Sequence, residues 1–508
     1  MTNLLIGNLS QRQLLAFFLA AVAVFILPLI LADNFYIDDN WRAQLGGMGW
    51  KQDGRVLTEW LHRGLAFTQG APNLFPLPLL AASVAMSFAL RSLVNHYFSA
   101  PTLASCLVVL PLWYSPFFLQ NLSYQYDGPA MALGVVAVIH AITFRHASSR
   151  VVAATAAICI AVGLSFYQMV IDIYLGLCCI EIIRLAGDKN KPEAIYKAVA
   201  SKVIHLLLGL TLYCMTAFQF ANSDRTTLRT LEPGWTERLI ADTSHAAQRV
   251  AVLYNDGNAW LCWGVLGTAC AGLGLVLYRT SQLQIAIQHK LIVASLCLLA
   301  SALAIAAIPG LALAFDFYND GARLMTGLSS ALVLLLYLAY QVLTAVQFRF
   351  VFSPLLLGLP VLAMLSFSFA YGRVMSLQKE LATSINQSLS YALMSDKRLK
   401  DLPNYYVLTP STQGWLVGAD GAFHFIPALR YVLNVDFLIL AEMLPRSTGV
   451  TNVSSLDREK TRQAMRAIEE QKAPVVDSRF YSIHVVGNDG YIVMKRPFPN
   501  DRYPMPVL

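Results

Sequence analysis

Two adjacent carboxylates, Asp38 and Asp39, follow the first long apolar run of the sequence, and Arg42 stands three residues beyond them. Acidic residues are favoured at helix N-termini, so capping of a short helix that begins near Asn40 would account for one carboxylate. Adjacent side chains project in different directions, which leaves the second carboxylate for another role. One of them could accept a proton from a substrate hydroxyl as a general base, while the other orients a sugar hydroxyl or pairs with Arg42. We favour Asp39 as the base because it would lie one helical turn before Arg42.

Tyr124, Tyr126 and Asp127 stand together at the start of the fourth apolar run. Tyrosines are common at membrane interfaces, and Asp127 is suited to cap the helix with Pro129 in its first turn. Tyrosine hydroxyls and carboxylates also form hydrogen bonds of the kind that sugars accept and donate. The structural and the substrate-binding interpretations do not exclude each other.

Two more outward pairs are candidates for substrate binding. Gln168 precedes Asp172, which lies inside an apolar run, where ionisable groups are costly and usually face a cavity or a partner. Asp320 and Arg323 flank the start of the tenth run. Arginine is suited to bidentate contact with a phosphate, whereas a local Asp320–Arg323 pair across one helical turn is the structural alternative.

Other outward arginines that would meet a lipid phosphate include Arg42, Arg55, Arg63 and Arg373. Glu59 and His62 lie on one face of a helix predicted over residues 54–67, and an amphipathic helix at the membrane interface accounts for this pattern. A metal site would need more ligands than the sequence gathers there, so we predict no metal and no other cofactor.

These side chains are carried by a chain that is mostly apolar. Of its 508 residues, 56% are hydrophobic and only 13% are charged, whereas soluble domains carry about 25% charged residues. The eight cysteines fall within apolar runs without CxxC spacing, which favours buried small hydrophobes over disulfides or zinc. No run rich in arginine and lysine is present, which argues against a nucleic-acid partner.

Apolar runs of spanning length predict eleven membrane helices, near 14–32, 74–95, 101–119, 128–144, 151–168, 170–186, 203–221, 259–278, 290–309, 323–342 and 351–371. Arg12 and the basic residues of the short inner loops place the N-terminus inside, and eleven spans then place the tail outside. The outer connections gather acids, amides and tyrosines, so an active site would face outward.

Two domains are predicted. Residues 1–371 form the transmembrane domain, with a long first outer loop at 33–73, and residues 372–508 form a small α/β domain outside the membrane. In this tail the pattern indicates an amphipathic helix at 374–399, a strand at 405–408, a helix capped at Asp457, and a hairpin around Asn488-Asp489-Gly490.

The chain resembles the type II serotype-converting glucosyltransferases (Gtr) of bacterial O-antigen modification, which belong to the GT-C class of polytopic glycosyltransferases. The likeness covers roughly residues 10–375 and rests on short motifs in a fixed order: Asp38-Asp39…Arg42, Trp50, Gly54-Arg55, Ser123-Tyr124-Gln125-Tyr126-Asp127, Ser165-Phe166-Tyr167-Gln168 and Asn319-Asp320-Gly321-Ala322-Arg323. It implies a GT-C-like α-helical bundle of about eleven transmembrane helices. Interfacial helices would lie in the first periplasmic loop, and a small C-terminal α/β domain in the periplasm.

The resemblance also implies a function at the periplasmic face of the bacterial inner membrane. An inverting enzyme would move a sugar, usually glucose, from undecaprenyl phosphate to a hydroxyl of lipopolysaccharide O-antigen or a related surface glycan. Asp39 or Asp38 would be the base. Arginines would stabilise the departing phosphate, so a metal is not obligatory. Substrate binding then falls on Arg42, Arg55, Tyr124, Tyr126, Asp127, Gln168, Asp172, Asp320 and Arg323.

Three alternatives remain. A transporter or flippase of a lipid-linked sugar would need polar residues deep in several helices, whereas here the acids stay at the outer rim. A non-catalytic subunit of an envelope complex would leave the acid pair without a role. An enzyme of the same class could carry another sugar, such as aminoarabinose to lipid A or mannose to protein.

Overall fold

The structure is a computed structural model that describes residues 7–222, 227–230, 232–316, 318–346, 352–408, 414–435, 438–470 and 473–497. Backbone contacts divide the chain into two compact units. The membrane unit comprises Met1–Ile30 and Met48–Phe369, and the C-terminal unit comprises Leu31–Gly47 and Ala370–Leu508. The segment with Asp38 and Asp39 therefore belongs to the C-terminal unit, although most of that unit follows more than 300 residues later.

In chain order the helices are α1 (Gln11–Ala32), α2 (Asp39–Leu45), α3 (Val56–Ala66), α4 (Leu77–Tyr97), α5 (Leu103–Val109), α6 (Pro111–Tyr114), α7 (Phe118–Ser123), α8 (Asp127–Thr143), α9 (Ser149–Phe166), α10 (Val170–Gly187), α11 (Pro192–Met215), α12 (Trp235–Ala251), α13 (Ala259–Ser281), α14 (Ile287–Ala306), α15 (Gly327–Ala345), α16 (Phe352–Ser395), α17 (Asp420–Phe425), α18 (Ala428–Leu433), α19 (Leu444–Thr448) and α20 (Arg458–Glu469). Short 3-10 turns lie at Trp50–Asp53, Ala217–Phe220, Gly310–Ala314, Ala322–Leu324, Val417–Ala419 and Ala441–Met443. The strands are β1 (Asn404–Leu408), β2 (Val453–Ser455), β3 (Val476–Asp477), β4 (Tyr481–Val486) and β5 (Asp489–Met494).

Among the described residues, eight helices are long and apolar enough to span a membrane: α1, α4, α9, α11, α13, α14, α15 and α16. They coincide with eight of the eleven predicted spans. The predicted span at 101–119 instead divides into α5, α6 and α7, since Pro111 and Pro116 lack the N–H that a continuous helix needs. The span at 128–144 forms the 17-residue α8, and the span at 170–186 forms α10, which contains three charged residues. The count of eleven therefore stays a prediction.

Close packing of α8 on α9 fixes the part of the membrane unit where several candidate residues lie. A Cβ atom added at Gly134 of α8 would lie 3.1 Å from the carbonyl oxygen of Gly163 in α9, and one added at Gly163 would lie 3.2 Å from that of Gly134. The two backbones can approach this closely because neither residue has a side chain. The contact holds the start of α8, with Asp127, at a fixed position relative to α9.

The C-terminal unit has its own hydrophobic core. Ile385, Leu389 and Leu393 recur at helical spacing along the end of α16, and all three are buried against residues of the sheet. The predicted span at 351–371 and the predicted amphipathic helix at 374–399 form this single 44-residue helix. A spanning stretch and a core-forming stretch thus follow each other without a helix break.

The sheet of the C-terminal unit has the order β2-β1-β5-β4-β3, in which β1 is parallel to β2 and β5, and β4 is antiparallel to β3 and β5. The strand predicted at 405–408 is β1, and Asp457 caps α20 by accepting a hydrogen bond from the amide of Lys460 at 2.8 Å. The predicted hairpin joins β4 and β5, but its turn is Gly487-Asn488 because Val486 pairs with Asp489. Gly487 takes the positive φ of 62° that this turn requires.

The segment Leu31–Gly47 is bound to the rest of the C-terminal unit by several polar contacts. The hydroxyl of Tyr36 donates to the carbonyl oxygen of Leu433 at 2.7 Å, and Lys379 Nζ donates to the carbonyl oxygen of Asp33 at 2.6 Å. The guanidinium of Arg446 lies 4.3 Å from the ring centroid of Phe35. These contacts hold α2 and its two carboxylates on a packed domain.

Candidate active site

The two predicted catalytic carboxylates lie at the start of α2. Asp39 is fully buried, and its Oδ2 accepts a hydrogen bond from the backbone amide of Tyr36 at 3.0 Å. Asp38 is half-buried at the N-cap position and makes no side-chain capping bond to α2. The helix begins at Asp39, one residue earlier than expected. The carboxylate of Asp39 is therefore oriented by the backbone.

Arg42, which was expected beside these carboxylates, lies on the last turn of α2 and is 7% exposed. Its guanidinium lies 4.5 Å from the ring centroid of Trp41, and its Nη1 is 3.5 Å from the carbonyl oxygen of Gly47. Asp38, Asp39 and Arg42 thus share the short helix α2 in the C-terminal unit.

In the membrane unit, Arg55 connects two other predicted site residues. Its Nε donates to Oε1 of Gln168 at 3.2 Å, and its Nη1 lies 3.5 Å from Oδ1 of Asp127. Gln168 is itself held by its own amide, which donates to the carbonyl oxygen of Asp53 at 2.6 Å and to the hydroxyl of Tyr213 at 2.9 Å. The Arg55 side chain remains 22% exposed, so part of it is accessible to a ligand.

Asp127, at the first position of α8, is also held by a buried aromatic group. The indole Nε1 of Trp50 donates to Oδ1 of Asp127 at 2.9 Å. The indole ring stacks on His62 with a centroid distance of 4.9 Å and an interplanar angle of 10°. His62 Nε2 lies 3.0 Å from the carbonyl oxygen of Tyr126, whose ring packs against both Trp50 and His62. The predicted capping role of Asp127 is wrong, because the N-cap is Tyr126 and the helix has no side-chain capping bond; the Asp127 carboxylate instead contacts Trp50 and Arg55.

Arg323 is held through its backbone, and its guanidinium contacts the side chain of Tyr124. The amide of Arg323 donates to Oε1 of Gln120 at 2.6 Å, and its carbonyl oxygen accepts from the Asn121 amide at 3.1 Å. Its Nη1 donates to the hydroxyl of Tyr124, and the guanidinium lies 5.4 Å from the Tyr124 ring centroid. Arginine and tyrosine were both predicted as binding residues, and the structure pairs them.

Tyr167 joins the two arginine-bearing segments. Its hydroxyl donates to the carbonyl oxygen of Arg323 at 2.8 Å, and its ring centroid lies 4.9 Å from the guanidinium carbon of Arg55. Tyr167 is only 1% exposed. Tyr167 therefore connects Arg55, with its partners Asp127 and Gln168, to Arg323 and its partner Tyr124.

Asp172 does not join this cluster through any contact that the structure describes. It is fully buried in α10, and its Oδ1 accepts a hydrogen bond from the amide of Leu311 at 2.9 Å. A Cβ atom at the neighbouring Gly310, whose φ is +24°, would lie 2.0 Å from that same oxygen. The carboxylate thus packs on a glycine and binds the turn Gly310–Ala314, and its role in substrate binding stays a prediction.

Asp320 is paired with a residue other than the one expected locally. Its Oδ2 lies 2.6 Å from Nη2 of Arg249 and accepts from Nε of the same residue at 2.7 Å. Because Arg249 belongs to α12, this ion pair joins two segments that are 71 residues apart in sequence. The side-chain contact described for Arg323 is instead with Tyr124.

Several residues of the cluster were not assigned a role from the sequence. Trp50 and Tyr167 occur in the motifs of the resemblance, but only the fold shows that they contact Asp127 and Arg323. Gln120 and Asn121 precede Tyr124 by four and three residues, so their proximity to the motif was the available signal. His62 and Tyr213 lie in ordinary helical patterns, so the sequence gave no signal that they belong to this cluster.

Chemically, the cluster in the membrane unit presents two arginines, one carboxylate, an amide and tyrosine hydroxyls. A pair of guanidiniums is suited to a phosphate, and carboxylate, amide and hydroxyl groups are suited to a sugar. Among the described residues, no group of three or more His, Cys, Asp or Glu side chains could hold a metal ion.

Comparison with known proteins gives a consistent result. The sequence profile of the family described as "Glucosyl transferase GtrII" matches residues 27–394, which include both α2 and the arginine cluster. Over 206 residues the chain is 28% identical to a protein of Salmonella phage P22 described as "Uncharacterized 55.3 kDa protein in gtrB 5'region". That alignment covers 41% of this chain and 42% of the relative, less than half of each. No solved structure matches.

Apolar helices of spanning length and a family profile over most of the chain define a membrane protein of the glycosyltransferase class. Within that class, the chain belongs to the GtrII glucosyl transferase family, and the predicted resemblance is confirmed.

Proposed function

We propose that the protein is an inverting glycosyltransferase that moves glucose from undecaprenyl-phosphate-glucose to a hydroxyl of lipopolysaccharide O-antigen or a related surface glycan. The observation that carries the proposal is the arrangement of Arg55 and Arg323 around Tyr167, within the region that matches the family. The Tyr167 ring packs on the guanidinium of Arg55 and its hydroxyl binds the backbone of Arg323, so the two arginine-bearing segments are held together. Guanidinium groups are suited to the phosphate of a lipid-linked donor.

In the proposed reaction, the acceptor oxygen attacks the anomeric carbon of glucose while the bond from that carbon to the phosphate oxygen breaks. A carboxylate of the α2 pair takes the acceptor proton, and undecaprenyl phosphate leaves as an anion. We assign the base to Asp39, with Asp38 as the alternative, because the Tyr36 amide orients the Asp39 carboxylate. Direct displacement inverts the anomeric configuration.

The departing phosphate gains negative charge as its bond to glucose breaks. Guanidinium groups placed before the reaction stabilise that charge without the cost of reorganising solvent, and we assign this role to Arg55 and Arg323. Tyr124, Tyr126, Asp127 and Gln168 are assigned to the sugar. Arg42 is assigned to the donor, beside the base.

We further propose the bacterial inner membrane as the location, with the N-terminus in the cytoplasm and residues 372–508 in the periplasm. Residues 1–371 would be the catalytic membrane domain. This orientation brings the acid-rich outer connections to the face where a lipid-linked donor and a surface glycan are both accessible.

The test is transfer of labelled glucose from undecaprenyl-phosphate-glucose to purified lipopolysaccharide in detergent, comparing the parent protein with Asp38→Asn and Asp39→Asn. We expect Asp39→Asn to lower kcat by at least about 100-fold, in the range of a lost general base, while donor binding is retained. Asp33→Asn is the matched control, because Asp33 lies in the same segment, pairs with Lys379 and has a side chain that is 58% exposed.

Each outcome has a distinct meaning. Loss in Asp38→Asn alone would move the base to that residue. Full activity in both variants would show that α2 does not supply the base. A parent protein that binds donor but transfers nothing to any glycan would favour the transporter interpretation instead.

A further inference from the structure

Two outer segments of the membrane unit are joined along their length. One contains the described residues 227–230 and α12, and the other runs from residue 310 to Arg323. Leu228 and Phe315 form an antiparallel bridge, in which the amide of Arg229 donates to the carbonyl oxygen of Ala314 at 2.8 Å. The amide of Asp316 donates to the carbonyl oxygen of Thr227 at 3.1 Å. The backbones therefore form a short two-stranded contact.

Ion pairs extend this contact along α12. Arg229 is largely buried and pairs with Asp242 of α12 at 2.5 Å. Arg249, in the last turn of α12, binds Asp320 through two nitrogens at 2.6 and 2.7 Å. Charge-assisted bonds of this length are stronger than neutral hydrogen bonds. The Arg229–Asp242 pair holds α12 to the bridge strand of its own segment, and the Arg249–Asp320 pair connects the C-terminal end of α12 to the second segment.

Tyr318, two residues before Asp320, is affected by charges from both segments. Burial raises the pKa of Tyr318 to about 12, and the charges of Asp320 and Asp242 add to the rise, while Arg249 opposes it. These charges therefore lie close enough to Tyr318 to act on its hydroxyl. Asp320 faces α12 in this arrangement.

Asp320 is also close in sequence to Arg323. Only Gly321 and Ala322 separate the two residues, and the 3-10 turn Ala322–Leu324 begins directly after Gly321. The backbone of Arg323 is fixed by Gln120 on one side and by Tyr167 on the other. The Arg249–Asp320 pair fixes the same stretch from the outer side.

We propose that Asp320 is a positioning residue, which pairs with Arg249 to hold the segment that presents Arg323 and acts on the donor through Arg323 rather than by contacting the sugar. The inference rests on the proposed function, in which Arg323 binds the donor phosphate. It changes the role expected for Asp320 from the sequence, where it was a substrate-binding candidate. Arg249 becomes a second positioning residue, which the sequence had not indicated.

Exchanging the charges of Asp320 and Arg249 distinguishes a positioning residue from one that contacts the sugar. Asp320→Arg and Arg249→Asp each place two like charges together, and we expect each to raise the KM for undecaprenyl-phosphate-glucose about five- to tenfold, with the KM for lipopolysaccharide unchanged. The double variant Asp320→Arg/Arg249→Asp restores an opposite pair and should return the donor KM to within about twofold of the parent value. A sugar-contacting carboxylate could not be rescued by moving the charge to position 249.

A second readout does not depend on activity. Hydrogen exchange of the peptide over residues 318–325 should rise in both single variants and return to the parent level in the double variant. The melting temperature should stay unchanged, because an ion pair with side chains 46% and 41% exposed contributes little to global unfolding. The matched control is the Arg238–Asp316 pair, which is equally exposed, spans 3.9 Å and lies further from Arg323 in sequence.

The outcomes distinguish this inference from the proposed function. A double variant that stays impaired in donor KM and in hydrogen exchange would overturn the positioning role. If the double variant restores hydrogen exchange but the parent protein transfers no glucose, the positioning role would be supported and undecaprenyl-phosphate-glucose would be rejected as the donor. An equal loss from exchanging Arg238 and Asp316 would show that the effect is not specific to the segment with Arg323, which would also overturn the inference.

Discussion

At the scale of single residues, Asp127 shows how one carboxylate is shared between structure and chemistry. Its Oδ1 accepts from the Trp50 indole at 2.9 Å and faces Arg55 at 3.5 Å. The indole N–H is a neutral donor, so it orients the carboxylate without cancelling the charge that Arg55 meets. Trp50 is only 1% exposed, and its ring stacks on His62.

Replacement of the indole tests this orientation. Trp50→Phe retains an aromatic ring over His62 but removes the donor to Asp127, and we expect kcat/KM for glucose transfer to fall about tenfold. Loss of one hydrogen bond to a buried charged group costs about 1.5–3 kcal/mol, which corresponds to a fall in kcat/KM of about tenfold or more. Trp60→Phe is the control, since Trp60 lies in the same loop but is 62% exposed. Equal activity in both variants would contradict the orienting role of the indole.

Asp172 illustrates a buried carboxylate whose partner is the backbone. Asp172→Asn retains an oxygen acceptor for the Leu311 amide, so we expect glucose transfer within about threefold of the parent. Asp172→Leu removes the acceptor and should lower the free energy of unfolding by about 1–3 kcal/mol, the cost of an unsatisfied buried donor. The measurements are transfer rate and melting temperature in detergent. An inactive Asp172→Asn variant with an unchanged melting temperature would support the substrate-binding role expected from the sequence.

At the scale of elements, glycines set how closely the membrane helices approach. A Cβ atom at Gly272 of α13 would lie 2.2 Å from the carbonyl oxygen of Leu338 in α15. That backbone atom can move only if the helices separate. On the same helix, a Cβ atom at Gly264 would meet no atom within 4 Å. The two positions make a matched pair for substitution.

Gly272→Ala should therefore destabilise the protein, and Gly264→Ala should not. Overpacking of a tight contact costs about 1–3 kcal/mol, whereas alanine in place of an open helical glycine gains up to about 1 kcal/mol of helix propensity. Thermal unfolding in detergent, followed by circular dichroism, measures both changes. Equal melting temperatures for the two variants would show that α13 and α15 do not pack as described.

At the scale of the whole molecule, the number of spans decides the side on which the tail lies. Eleven spans place the two termini on opposite sides of the membrane, whereas eight place them on the same side. We expect an alkaline phosphatase fused after Leu508 to be active and a fluorescent protein at the same position to be dark. A fusion after Ala100 is the control, because two spans precede it under either count. The reverse pattern at Leu508 would reject the odd count and the periplasmic location of residues 372–508.

Much of the architecture followed from the sequence. The eight long apolar helices and β1 coincide with predicted segments, since hydropathy over about 20 residues and local alternation are properties of contiguous sequence. Capping of α20 by Asp457 is equally local. The motifs that carry the family resemblance could also be recognised in the sequence, and the family is confirmed.

The tertiary structure alone decided which of these residues meet. Trp50 and Asp127 are 77 positions apart, Tyr167 and Arg323 are 156 apart, and Arg249 and Asp320 are 71 apart. It also placed residues 31–47, with Asp38 and Asp39, in the C-terminal unit. Hydropathy and helical periodicity report which face of one element is buried, whereas these contacts depend on how elements pack. The sequence by itself therefore determined the elements, the family and the candidate residues, and packing decided which candidates bind one another.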